Sequence, residues 1–126
     1  MSPSDLAFFH HDGHLTVNGV FAAGEVDTVV RDIEAWGESF LAELPAEQRA
    51  WYIDGGVRAR SVLRKLDNPH HHRAAVQAVA RDRRLVDRVE AIVGRGVSVY
   101  FSQIFFKAPE GGGPKPAHQD NFYFGP

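Results

Sequence analysis

The strongest strand signal in the chain is the segment VSVYFSQIFFK, which covers residues 97 to 107. It is rich in β-branched and aromatic residues and contains no proline, a composition that is typical of a β-strand. Successive side chains of a strand point to opposite faces, so alternate residues share one face. One face would therefore carry Val99, Phe101, Gln103, Phe105 and Lys107.

His118 and Asp120 follow this segment, after a loop rich in glycine and proline. We expect residues 117 to 124 to begin another strand, in which residues two apart face the same way. An imidazole and a carboxylate would then project toward one point, as in two-thirds of a 2-His-1-carboxylate iron site. On its spacing alone, the pattern also fits two polar residues of a surface strand.

Upstream of these segments, the hydrophobic pattern predicts helices. From Glu25 to Leu44, apolar residues recur at steps of three and four, and Pro45 is expected to end that helix. A second helix is predicted from about His70 to Ala80. A third is predicted to begin after Asp82 as its N-cap and to stop at Gly94 in a left-handed conformation.

Two further regions are expected to be extended or irregular. Residues 8 to 10 and 14 to 17 could form two short strands around the turn at Asp12-Gly13. Residues 54 to 56 are predicted to be a loop, and residues 57 to 66 either a strand or an irregular crossing.

The composition excludes several classes of protein. The 126 residues are 44% hydrophobic and carry a formal net charge of −2, which fits one globular domain and gives no basic surface for nucleic acid. No apolar run is long enough to cross a membrane, so we expect a cytoplasmic protein without a membrane partner. Cysteine is absent, and any metal ligands must therefore be His, Asp, Glu or water.

Several other clusters have ordinary explanations. The tract His70-His71-His72 is predicted to be exposed in a first helical turn and not to hold a metal. Trp36 and Trp51 are expected to be core or half-buried packing residues. Residues 81 to 84 are predicted to form a solvated junction between helices, and the acidic residues of the long helix its polar side.

Taken together, the aromatic strand, the loop and the His-x-Asp block resemble the phytanoyl-CoA dioxygenase family of Fe(II)/2-oxoglutarate-dependent oxygenases. The matching stretch is residues 97 to 124, which includes QIFFKAP at 103 to 109 and PAHQDNFYF at 116 to 124. Elements of the family are also matched upstream, by Phe9 to Gly13, Glu25 to Leu44 and Asp82 to Gly94.

The resemblance implies an α+β fold, with N-terminal helices and the first strands of a double-stranded β-helix, the cupin-like jelly roll. Residues 1 to 126 would form the N-terminal portion of one oxygenase domain. Within it, residues 1 to 96 would be a helical support region, and residues 97 to 126 the first core strands with the His-x-Asp motif.

The resemblance also implies roles for individual residues in hydroxylation of a small-molecule substrate. The Fe(II) ligands would be His118 and Asp120. The contacts to the co-substrate 2-oxoglutarate would be Gln103, Lys107 and Tyr123. The substrate pocket would include Phe105 and Phe124. Gln103 and Lys107 fit equally well as strand residues whose polar ends reach water.

In the family, the second iron-binding histidine and the arginine that grips 2-oxoglutarate lie far downstream of the His-x-Asp motif. We therefore expect an incomplete iron site in residues 1 to 126, and no catalysis by these residues alone. We also expect the chain either to self-associate or to pair with a missing C-terminal half. The alternatives are a non-catalytic jelly-roll binding module and an interaction fragment that needs a partner chain. The sequence encoded downstream would discriminate between them.

Overall fold

A computed structural model of the chain describes residues 1–55, 61–107 and 116–120. These residues contain both helices and short strands, so the predicted α+β class is confirmed. The helices are α1 (Pro3–Asp12), α2 (Ala23–Glu43), α3 (Arg49–Tyr52), α4 (Pro69–His72), α5 (Ala74–Arg81) and α6 (Arg83–Val93), with a 3-10 turn at Ala46–Gln48. The strands are β1 (Ile53–Gly55), β2 (Ser61–Leu63), β3 (Lys65–Asp67) and β4 (Gln103–Phe105).

The first element is a helix, so the prediction of two short strands there was wrong. Ser2 caps α1 because its Oγ accepts from the Asp5 amide at 3.1 Å, while the Asp5 carboxylate accepts from the Ser2 amide at 2.7 Å. Pro3 occupies the first helical position, where its missing N–H costs nothing. Gly13 ends the helix with a φ of 76°, a left-handed conformation that glycine adopts without strain.

The long helix α2 confirms the predicted helix from Glu25 to Leu44 and begins two residues earlier, at Ala23. The Glu25 carboxylate accepts from the Ala22 amide at 2.8 Å, which satisfies a donor that no helical carbonyl can reach. At the other end, Leu44 is extended before Pro45, as the steric demand of the proline ring requires.

The predicted helix from His70 to Ala80 is broken into α4 and α5, because Arg73 is extended with φ −127° and ψ 117°. Asp82 caps α6 as predicted, and its side chain accepts from the Arg84 amide at 2.8 Å. Gly94 follows α6 with φ 96° and ψ 166°. The positive φ was anticipated, but the ψ is extended, so the predicted left-handed stop was wrong.

The described strands form two sheets of two strands each. β1 and β2 are antiparallel, with Ile53 opposite Leu63, so Asp54 and Gly55 are strand residues where a loop was predicted. β3 pairs with β4. The amide of Asn68 donates to the Ser102 carbonyl at 2.7 Å, beside the end of this second pair. The jelly roll remains a prediction, since neither sheet of the described residues has more than two strands.

The structure differs from the two strands predicted at residues 97 to 107 and 117 to 124. Of residues 97 to 107, only Gln103–Phe105 is a strand. Among the described residues, this segment pairs with β3, which is also three residues long. Residues 116 to 120 are irregular and turn at Asp120, so no strand begins there. Residues 121 to 124 lie outside the described residues, as do residues 57 to 60.

The chain divides into two compact units, one of residues 1–44 and 66–104, the other of residues 45–65 and 105–126. In the first unit Leu44 and Leu66 are buried, Leu66 completely. In the second unit Leu63 is buried. No helix in the described part of the chain is long and apolar enough to span a membrane.

Charged contacts join the helices of the first unit, where the sequence predicted solvated side chains. Arg84 at the start of α6 donates to Glu25 of α2 at 2.7 and 3.0 Å, and its guanidinium carbon lies 4.7 Å from the ring centre of Phe21. Arg84 also donates to Asp82 at 2.8 and 3.0 Å. Hydrogen bonds from Arg84 lower the pKa of both carboxyl groups to about 2.

Candidate metal centre

The side chains of His118 and Asp120 lie close together in the second unit. The His118 Nε2 lies 3.3 Å from the Asp120 Oδ1. The other ring nitrogen, Nδ1, donates to the carbonyl oxygen of Pro116 at 2.9 Å. Residues 116 to 119 have no regular secondary structure and Asp120 lies in a turn, so this approach does not arise from the alternation of a strand.

The hydrogen bond to Pro116 fixes which ring nitrogen faces Asp120. A carbonyl oxygen can only accept, so Nδ1 is the donor in this contact and Nε2 is the ring atom beside the carboxylate. An imidazole nitrogen and a carboxylate oxygen at this distance can be ligands of one metal ion. Iron-binding and zinc-binding histidines commonly donate their second ring N–H to a carbonyl in this way. The pair therefore fits a divalent metal with oxygen and nitrogen ligands.

The described residues supply two donors for such a metal. They contain no group of three or more His, Asp or Glu side chains that could together hold a metal ion. The Asp120 side chain is 78% exposed, so the described residues do not enclose the pair. A site that excludes water would need walls and a third protein ligand from elsewhere.

Gln103, a predicted co-substrate contact, is the first residue of β4 and belongs to the first unit, and its Nε2 donates to the Asp67 Oδ1. Sequence reasoning had not singled out Asp67. The two residues are 36 positions apart, and only the pairing of β3 with β4 brings them together. The sequence contained no local signal for this contact.

The other residues predicted to contact co-substrate or substrate are Lys107, Phe105, Tyr123 and Phe124. Lys107 follows β4 and is exposed. Phe105, a predicted substrate contact, is 42% exposed. Tyr123 and Phe124 lie outside the described residues, so the structure places neither of them.

A buried lysine is a feature of the second unit that the sequence did not reveal. The Nζ of Lys65 lies 4.0 Å from the ring centre of Trp51 and 5.6 Å from that of Tyr52, within the range of cation–π attraction. Trp51 is 60% exposed, so it packs on this lysine and is not a core residue. The ring covers the lysine ammonium and remains open to solvent elsewhere.

Known proteins resemble the chain in sequence. The model of the family described as phytanoyl-CoA dioxygenase (PhyH) matches residues 9–126. A protein of Stutzerimonas stutzeri, named as a probable alpha-ketoglutarate-dependent hypophosphite dioxygenase, is 24% identical over 108 residues. That match covers 86% of this chain and 37% of the relative, so the chain spans little more than a third of the relative's length.

No solved structure matches the chain. The family match, by contrast, runs from the end of α1 through the His118–Asp120 pair and leaves only the first eight residues unmatched. The chain belongs to the phytanoyl-CoA dioxygenase (PhyH) family.

Proposed function

We propose that residues 1–126 supply the first part of the active site of an Fe(II)/2-oxoglutarate-dependent dioxygenase that hydroxylates a small molecule. The observation that carries this proposal is the pairing of the His118 Nε2 with the Asp120 carboxylate, with the ring oriented by the Pro116 carbonyl. Membership of the family supports the identity of the metal and of the co-substrate.

In this proposal His118 and Asp120 hold Fe(II), which together with 2-oxoglutarate supplies the oxidising power for the reaction. The Pro116 carbonyl accepts from Nδ1 and would thereby hold the ring with Nε2 turned toward the metal. The Asp120 carboxylate brings one negative charge to the metal. A carboxylate at this position favours hydroxylation or desaturation over halogenation, which in related enzymes needs a small residue there.

The co-substrate and substrate contacts are proposed from the same resemblance. Lys107 can hold a carboxylate of 2-oxoglutarate as a point charge, whereas a bidentate grip needs an arginine. Gln103 and Tyr123 would complete the polar contacts, and Phe105 and Phe124 would line the substrate pocket. The Gln103 amide is already oriented by Asp67, which leaves its Oε1 as an acceptor on the opposite side of the amide.

The third iron ligand and the arginine would come from protein outside the described residues. The complete site would lie in a jelly roll that residues 97–126 begin. Such an arrangement makes residues 1–126 inactive alone. It also leaves them to associate with the rest of the same fold, or with a second copy.

The substrate is proposed only as a small molecule. The relative from Stutzerimonas stutzeri is named for hypophosphite. A sequence identity of 24%, over a match that covers 37% of that protein, supports a shared co-substrate but not a shared substrate. Hypophosphite is therefore one member of a substrate panel that also contains acyl-CoA thioesters and amino-acid derivatives.

The test is succinate formation from 2-oxoglutarate with Fe(II), ascorbate and oxygen. It compares residues 1–126 with the same chain extended by any sequence encoded downstream, here called the full product. We expect turnover by the full product only, and its loss in His118→Ala and in Asp120→Ala. His71→Ala, at an exposed histidine of α4, is the matched control and should keep the activity.

Each other outcome contradicts a defined part of the proposal. Activity of the full product that survives both substitutions would show that iron binds elsewhere. Turnover by residues 1–126 alone would show that their site is complete. A full product without any 2-oxoglutarate turnover would favour the non-catalytic binding module.

A further inference from the structure

His70, in the first turn of α4, is buried, although a residue of an exposed helical turn was predicted. Only 8% of the surface of His70 is exposed to solvent. The Nδ1 atom lies 2.5 Å from the Ser102 Oγ, a contact that spans 32 positions of the chain. The carbonyl oxygen of His70 also accepts from Gln77 of α5 at 3.5 Å. His70 is thus a buried histidine within the first unit, where a surface tract was expected.

Ser102 is the residue immediately before β4, and it is bonded on three sides. Its carbonyl accepts from the Asn68 amide at 2.7 Å, and its own amide donates to the Asn68 Oδ1 at 3.4 Å. Asn68 adopts a left-handed conformation with φ 51° and ψ 47°, which turns the chain from β3 into α4. The side-chain contact with His70 therefore closes a small network that joins the beginning of α4 to the beginning of β4.

The second ring nitrogen of His70 makes this network sensitive to a proton. The Nε2 is buried and has no hydrogen-bond partner among the described residues. A neutral ring leaves one uncharged nitrogen unsatisfied, which a folded protein tolerates. A protonated ring would leave a charged N–H buried without an acceptor, which is far more costly.

The groups around His70 add no compensating negative charge. On its own helix are His71, whose ring centre lies 3.9 Å away, and His72. The neighbouring elements present Gln77 and Ser102, both uncharged. Nearby charged residues are engaged with other groups: the Asp67 carboxylate accepts from Gln103, and Arg73 is paired with Asp32.

We propose that the His70–Ser102 contact is a pH-sensitive latch, closed while the imidazole is neutral and opened when it is protonated. Opening separates the start of α4 from the start of β4 and releases Asn68 from Ser102. Burial and the neighbouring His71 and His72 lower the pKa of His70 from its ordinary value of 6.5, so the closed state excludes the proton.

The sign of the effect follows from linkage. The opened latch holds a solvated histidine with an ordinary pKa near 6.5, and it therefore binds more protons than the closed one. Opening is favoured as pH falls below about 6.5 and reaches its limit below the pKa of the closed state. At pH 5.5, one unit below 6.5, proton binding favours the open state by at most about tenfold relative to pH 7.5.

The test is hydrogen exchange of the Asn68 amide by NMR, with each rate divided by the intrinsic rate at the same pH. In the unmodified chain we expect the protection factor to fall by up to about tenfold between pH 7.5 and pH 5.5. His70→Asn keeps a side-chain partner for Ser102 without a titrating group, and its protection should not change over this range. His71→Asn, at the adjacent exposed histidine, should retain the fall.

Equal protection at both pH values in the unmodified chain would overturn the proposal, as would an unchanged fall in His70→Asn. If His70→Asn does not fold, the ring-proton titration of His70 in the unmodified chain decides the question. The latch requires that Asn68 protection is lost over the pH range in which His70 titrates. Titration of His70 without any loss of Asn68 protection would contradict it. No part of this test depends on iron or on the proposed oxygenase activity.

Discussion

Arg73 holds Asp32 through two nitrogen atoms, with Nε donating to Oδ2 at 3.0 Å and Nη2 donating to Oδ1. The bond joins the residue between α4 and α5 to the middle of α2. Both side chains are about two-thirds to three-quarters buried, so the pair is less screened than a surface ion pair. The ring of His72 lies 5.4 Å from that of Trp36 and adds a second contact to α2.

We predict that Arg73→Lys lowers the midpoint of thermal unfolding by a few degrees. A lysine keeps the charge but cannot make the two parallel bonds of a guanidinium. A lower midpoint would therefore result from the lost bond geometry and not from a lost charge. The matched control is Arg83→Lys, because Arg83 pairs with Asp87 on the exposed face of α6. Equal midpoints for the two variants would show that the bidentate contact does not stabilise the fold.

The contacts of Arg84 predict how stability falls in acid. Hydrogen bonds from Arg84 lower the pKa of Glu25 from 4.5, and that of Asp82 from 3.8, to about 2. Carboxyl groups with a lowered pKa stabilise the fold fully above their unfolded values and lose that effect as pH falls toward the folded ones. We therefore expect stability to fall between about pH 4.5 and pH 2, as measured by thermal unfolding at a series of pH values.

Arg84→Met tests the origin of that fall. Methionine keeps much of the apolar stem and removes the guanidinium, so both carboxyl groups should return toward ordinary behaviour. We expect a shallower loss of stability between pH 4.5 and pH 2 in the variant than in the unmodified chain. Parallel curves for the two proteins would assign the acid sensitivity to other groups.

The N-cap of α1 gives a prediction about local stability. Ser2→Ala removes the oxygen that accepts from the Asp5 amide and should destabilise the first turn of α1 by about 1 kcal/mol. Hydrogen exchange of the amides of residues 4 to 6 measures the effect. Ser39→Ala is the control, since that hydroxyl bonds the Trp36 carbonyl within α2 and does not contact α1. Unchanged exchange in Ser2→Ala would contradict the cap.

The sequence predicted best the features that depend on local chemistry. The helix α2 follows from its apolar period and from Pro45, and the cap of α6 follows from Asp82. His118 and Asp120 lie close together, but not on one face of a strand as their two-residue spacing had suggested. For α1 the capping signal of Ser2 and Asp5 was present in the sequence, but the aromatic residues after it suggested strands.

Features that depend on distant pairing could not be predicted in this way. Residues 97 to 107 have strand propensity throughout, but propensity does not say which residues find a neighbouring strand, and β4 is short. The burial of His70 depends on Ser102, and the orientation of Gln103 depends on Asp67. Each partner is more than 30 positions away, beyond the reach of any local pattern.

The assignment of His118 and Asp120 as metal ligands is tested most directly by calorimetry of residues 1–126 with Mn(II) or Ni(II) in the absence of oxygen. We predict one weak site, because two protein ligands leave the remaining positions to water. His118→Ala or Asp120→Ala should lower the affinity by at least about tenfold, since loss of even an outer partner of a ligand typically costs that much. The double variant His71→Ala/His72→Ala should bind like the unmodified chain. Tight binding that survives His118→Ala and disappears in the double variant would contradict the assignment of His118 and Asp120 as metal ligands.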